Sequence, residues 1–127
     1  MPHILVIEDD LALREPLVKM LTNDGHTVEV AGDGVEALKL LETIRPDLIV
    51  TDVLMPKMDG IEFMMELARS GSPVPIIAMS GGRRSVTADF NLASAGAMGV
   101  RVTLAKPFSR ADLRRAIQQA LASPRLE

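Results

Sequence analysis

Five short apolar runs recur along the chain: Ile4–Ile7, Thr27–Ala31, Leu48-Ile49-Val50 running into Asp52, Val74 to Met79, and Val100 to Ala105. Most lack the polar–apolar alternation of a strand with one wet face, so they read as strands buried on both sides. Between them lie stretches with apolar residues at helical spacing. Strand and helix in strict alternation predict a parallel sheet covered by helices on each face, with right-handed crossovers. The expected fold is therefore α/β, a doubly wound five-stranded (βα)5 unit.

The intervening segments carry their own start and stop signals. A helix is predicted from about Asp10 to Asn23, with Leu13, Leu17, Met20 and Leu21 on one face, Asp9 or Asp10 as its cap, and Asp24-Gly25 as its end. Pro16 lies past the first turn and removes a backbone donor, which predicts a local kink. Gly34 opens a second helix bearing Val35, Leu38, Leu40 and Leu41, stopped before Pro46. A third starts at Asp59-Gly60, with Ile61, Met64, Met65 and Leu67. A weaker one follows the basic turn Gly81-Gly82-Arg83-Arg84-Ser85 and runs through Ala97. Ser109 caps the last, with Leu113, Ile117 and Leu121. No repeat or low-complexity run interrupts the pattern, so residues 1–127 are expected to form one domain with a frayed tail from Ser123.

Composition removes several function classes. A net charge of −3 argues against general nucleic-acid binding, which draws on a basic face. The absence of cysteine excludes disulfides and thiolate metal sites. Ile4–Ile7 is too short for a signal peptide or membrane span, which leaves a cytoplasmic protein as the expectation. Phe63, Phe90 and Phe108 are the only aromatic residues, and the eight methionines are expected to fill core space that rings would otherwise occupy.

The chemistry lies where the strands stop. Glu8-Asp9-Asp10 follows the first, Asp52 ends the third, Ser80 follows the fourth and Lys106 follows the fifth. Open parallel sheets bind ligands beyond the carboxyl ends of their strands, near the point where strand order reverses. If the order is 2-1-3-4-5, the first and third strands are neighbours there and their acids face each other. Crowded carboxylates share a proton or bind a cation, and an all-oxygen donor set favours a hard ion such as Mg²⁺. An aspartate oxygen beside that ion can attack phosphorus in line, with Lys106 and Ser80 facing the new phosphate. Taken singly, each feature is ordinary: an acidic run caps a helix, Asp52 begins a turn, Ser80 precedes a glycine loop, and Lys106 is a solvated charge. All four at successive strand ends form a set.

From Ile4 to the last helix the sequence resembles the receiver domain of two-component response regulators. The resemblance is carried most strongly by Asp47-Leu48-Ile49-Val50-Thr51-Asp52-Val53-Leu54-Met55-Pro56-Lys57-Met58-Asp59-Gly60 and by Leu104-Ala105-Lys106-Pro107-Phe108. It implies the flavodoxin-like strand order 2-1-3-4-5 and a cis peptide between Lys106 and Pro107. It also implies Asp52 as phospho-acceptor, with Mg²⁺ held by Asp9, Asp52 and the Leu54 backbone carbonyl, and by Glu8 through water. Ser80 stands at the family's switch hydroxyl and Lys106 at its phosphate-contacting lysine. The implied partners are a sensor histidine kinase or histidine phosphotransfer protein and a downstream protein target, with phosphorylation-linked dimerisation left open. His3 and His26 are read as solvated loop or edge residues rather than as a phosphodonor.

One departure stands out. Thr103 occupies the position of the family's switching aromatic, so any switching is expected to run through Ser80, the Gly81-Gly82 loop and the helix after it. Two other functions share parts of this set of residues. A Mg²⁺-dependent aspartate-nucleophile phosphatase needs a second acid two residues after the nucleophile, where this chain has Leu54. A flavin binder on the same sheet is disfavoured by the scarcity of rings and the acid-lined strand ends.

Overall fold

Apolar runs buried on both faces pair into one sheet in the computed structural model, which describes residues 2–52, 60–80 and 99–122. The strands are β1 (His3–Ile7), β2 (Thr27–Ala31), β3 (Leu48–Asp52), β4 (Ile76–Ser80) and β5 (Val100–Ala105). The helices among the described residues are α1 (Leu11–Asn23), α2 (Gly34–Leu40), α3 (Gly60–Arg69) and α4 (Arg110–Ala122). All strand pairs are parallel, in the order β2-β1-β3-β4-β5. The doubly wound, flavodoxin-like architecture is as expected. The helix predicted through Ala97 lies outside the described residues, as do residues 53–59, Arg83, Arg84, Phe90 and residues 123–127.

Side chains alternate across each strand and build a core on either side of the sheet. Leu5, Ile7, Ile49, Ile76 and Ala78 pack with Phe63, Met64 and Leu67 of α3. Ile4, Val6, Val50, Ile77 and Met79 pack with Leu17 and Leu21 of α1 and with Leu113 and Ile117 of α4. Full burial of such a side chain contributes roughly 1.5–3 kcal/mol. Met64 and Met79 are wholly buried, in keeping with methionine as core filler, whereas Met65 is exposed.

Several local expectations shift. β4 begins at Ile76 rather than Val74, because Pro75 has no N–H to give a ladder and contributes only its carbonyl, to Ile49. Ser80, paired with Ala105, is the last residue of β4, not the residue after it. Pro16, where a kink is expected, lies inside α1. Leu13 and Val35, expected on core faces, are exposed, as is Leu121. α2 is seven residues long and ends at Leu40, well before Pro46. His3 is not a solvated loop residue: it opens β1, and its N–H donates to Asp47 Oδ2 at 2.8 Å. Among the described residues, no helix is long and apolar enough to cross a membrane.

Candidate functional site

The strand order sets β1 between β2 and β3, so the residues leaving β1 and those ending β3 emerge side by side. Glu8 continues the ladder by one bond, its N–H donating to the Ala31 carbonyl at 3.1 Å. The chain then turns through Asp9 into α1. Asp10 caps that helix, its Oδ1 accepting from the Ala12 N–H at 2.9 Å. Asp52 is the last residue of β3 and pairs with Met79 in β4, one residue before Ser80. Ser80 in turn pairs with Ala105, the last residue of β5, which precedes Lys106. The Lys106–Pro107 peptide is cis, as the resemblance implied.

The strand ends thus bring Glu8, Asp9 and Asp52 together, with a ligand oxygen of each within 4.8 Å of the others. Lys106 stands among them. Its Nζ donates to Glu8 Oε1 at 2.6 Å and to Asp52 Oδ2 at 3.1 Å. The three acids are not equivalent: Glu8 is buried, Asp52 half-buried and Asp9 exposed. Glu8 also accepts the Asp10 N–H on Oε2 at 3.3 Å, so each of its oxygens has a fixed donor.

Burial, reinforced by the nearby Asp52 charge, pushes the Glu8 carboxyl above its ordinary value, although the hydrogen bond from Lys106 opposes this. Burial pulls the Lys106 ammonium down, but the Glu8 hydrogen bond and the charges of Asp52 and Glu8 outweigh it, so its pKa is raised. One ammonium bridges two of the three clustered carboxylates. The remaining negative charge and the all-oxygen donor set fit a hard divalent cation such as Mg²⁺.

Of the other residues singled out in the sequence, Ser80 reaches the same end of the sheet by register, and Leu54 lies outside the described residues. Thr103 is exposed on β5, opposite Ala78. Arg14 was missed. It stands on the first turns of α1 and its Nη1 donates to the Glu8 carbonyl at 3.4 Å. Its place in the chain resembles any surface position on an amphipathic helix, so no local signal separates it.

Comparison with known proteins identifies a family and a fold. Residues 4–118 match the response regulator receiver domain family. The response regulator MprA of Mycobacterium ulcerans is 40% identical over 125 residues, which cover 98% of this chain and 52% of that protein. The chain therefore spans about half the length of the curated relatives it matches. Among solved structures, the chemotaxis protein CheY4 of Vibrio cholerae superposes with a TM-score of 0.83 at 30% identity, covering 95% of this chain and 99% of that one. The receiver domain of the sensor histidine kinase PA1611 of Pseudomonas aeruginosa gives a TM-score of 0.82 at 32% identity, covering 96% of this chain and 98% of its own. That structure has a magnesium ion coordinated in its active-site cleft.

Proposed function

The chain belongs to the response regulator receiver family, and from that premise we propose that it is a phosphorylation-dependent signalling switch whose acceptor is Asp52. The observation that carries the reading is the meeting of Asp52 with Glu8, Asp9 and the Lys106 ammonium at one sheet end. In this reading an Asp52 carboxylate oxygen attacks phosphorus in line, an acyl phosphate forms, and the P–N bond of the donor phosphohistidine breaks with the electron pair leaving on the imidazole. Lys106, already 3.1 Å from Asp52, counters the charge of the arriving phosphoryl group. Ser80 donates a hydrogen bond to it.

Asp9, Asp52 and the Leu54 carbonyl would hold Mg²⁺ directly. Glu8, with both oxygens engaged, is suited to meet the ion through water. Bound there, Mg²⁺ would supply positive charge against the phosphoryl oxygens. The magnesium in the Pseudomonas receiver supports this assignment. Residues 1–127 act as one domain that accepts and loses its phosphoryl group but turns over no external substrate. Its donor is a sensor histidine kinase or histidine phosphotransfer protein, and its output goes to a downstream protein in the cytoplasm rather than to nucleic acid or membrane. Leu54, two residues past Asp52, supplies no general acid, so a phosphatase is not favoured.

Intact-protein mass spectrometry after incubation with Mg²⁺ and acetyl phosphate tests the reading. One added phosphoryl group is expected, dependent on Mg²⁺ and absent in Asp52→Asn. An adduct that persists in Asp52→Asn overturns the assignment of the acceptor.

A further inference from the structure

The turn that carries Asp9 is held by a residue outside the acid–lysine cluster. Arg14 Nη1 donates to the Glu8 carbonyl at 3.4 Å, and the Arg14 backbone N–H donates to the Asp10 carbonyl at 2.9 Å. The Asp10 carbonyl is shared with the Leu13 N–H at 3.1 Å, as in any first helical turn, so the bond to the Glu8 carbonyl is the one that the Arg14 side chain adds. The neighbouring backbone donors are engaged as well, Glu8 N–H by Ala31 and Asp10 N–H by Glu8 Oε2. A Cβ added to Gly32 would lie 3.9 Å from Arg14 Nη1 and 3.6 Å from Glu36 Oε2. The guanidinium therefore lies near the bare α-carbon of Gly32, in the β2–α2 loop. A planar guanidinium fixes direction as well as distance, which a flexible ammonium does less well.

We propose that Arg14 is a positioning residue for the cation site: it pre-organises the Glu8-Asp9-Asp10 turn so that the exposed Asp9 carboxylate stands ready beside Asp52. This rests on the reading that Glu8, Asp9 and Asp52 hold Mg²⁺. Without the clamp, the turn has to be ordered when the ion binds, and affinity falls by that cost. Groups that orient metal ligands have measurable effects on affinity without touching the ion.

The test is a Mg²⁺ titration of the whole chain, followed by backbone amide shifts of Asp9 and Asp10, for wild type, Arg14→Met and Arg14→Lys. Arg14→Met is expected to bind Mg²⁺ roughly 10-fold more weakly, the low end for groups that orient metal ligands. Arg14→Lys, which keeps a donor for the Glu8 carbonyl, falls between it and wild type. At saturating Mg²⁺ both variants recover the wild-type rate of phosphorylation by acetyl phosphate, because the defect lies in ligand placement. Affinity within about twofold of wild type in folded Arg14→Met overturns the proposal. So does a rate that stays low at saturating Mg²⁺. If Arg14→Met fails to fold, an affinity of Arg14→Lys equal to wild type with the same Tm overturns it. A wild-type chain that does not bind Mg²⁺ brings down the underlying reading instead.

Discussion

Glu8 carries the least comfortable charge among the described residues. It is 1% exposed, sits beside Asp52, and depends on a single ammonium for compensation. Its carboxyl titrates above the ordinary value of 4.5, so the folded state holds that proton more tightly than the unfolded chain does. Stability is therefore fullest below that value and declines as pH rises through the raised one. Glu8→Gln removes the group that causes the decline. In metal-free buffer its Tm is expected to exceed that of wild type by more at pH 7 than at pH 4, as read by calorimetry. A difference that does not grow with pH contradicts the electrostatic account. The same substitution is expected to weaken Mg²⁺ binding, which is the ordinary conflict between stability and a charged functional site.

At the scale of elements, caps and prolines explain most boundaries. α2 is short, and its N-terminus relies on Asp33, whose Oδ1 accepts the Glu36 N–H at 2.8 Å. A seven-residue helix gains little from its own propagation, so the cap and its packing on the core dominate. Asp33→Ala is expected to lower unfolding stability by about 1 kcal/mol in urea denaturation, with the m-value unchanged. At the other end of α1, Gly25 takes a φ of 92°, and the Asp24–Gly25 stop predicted from the sequence is found there. β4 shows the converse effect of proline: Pro75 delays the start of the strand, while the pairing of Ser80 with Ala105 carries its far end to Ser80.

For the molecule as a whole, one ion cluster joins segments far apart in the chain. Asp24, after α1, receives Arg114 in a two-point contact, Nε to Oδ2 at 2.9 Å and Nη2 to Oδ1 at 2.7 Å, and Arg110 Nη2 at 3.0 Å. These links span 86 and 90 residues and tie the α1–β2 turn to α4 on one face of the sheet. The Arg114 hydrogen bonds, with Arg110 behind them, hold the Asp24 carboxyl well below the usual carboxylate range. A depressed carboxyl contributes stability above its unfolded value, near 4, and loses that contribution as pH falls toward the folded one. Asp24→Asn is accordingly expected to have a lower Tm than wild type at pH 7, with the gap closing below about pH 4. A gap that persists in strong acid assigns the loss to packing rather than to the ion cluster.

What the sequence determined by itself is the local part: the alternation of strands and helices, the stop after Asn23, and the acids, hydroxyl and amine delivered at four strand ends. The helices repeat every 3.6 residues, the strands are short apolar runs, and the reactive groups sit where a run ends, so all are legible without a partner. The tertiary structure alone decided which of those groups meet. Lys106 is shared between Glu8 and Asp52, 98 and 54 residues away; Glu8 is buried while Asp9 is exposed; and Leu13 and Val35 face outward. The Arg14 clamp and the Asp24 cluster belong with these. Each depends on strand order, helix placement and side-chain reach across the sheet, and none of these leaves a period in the chain that encodes it.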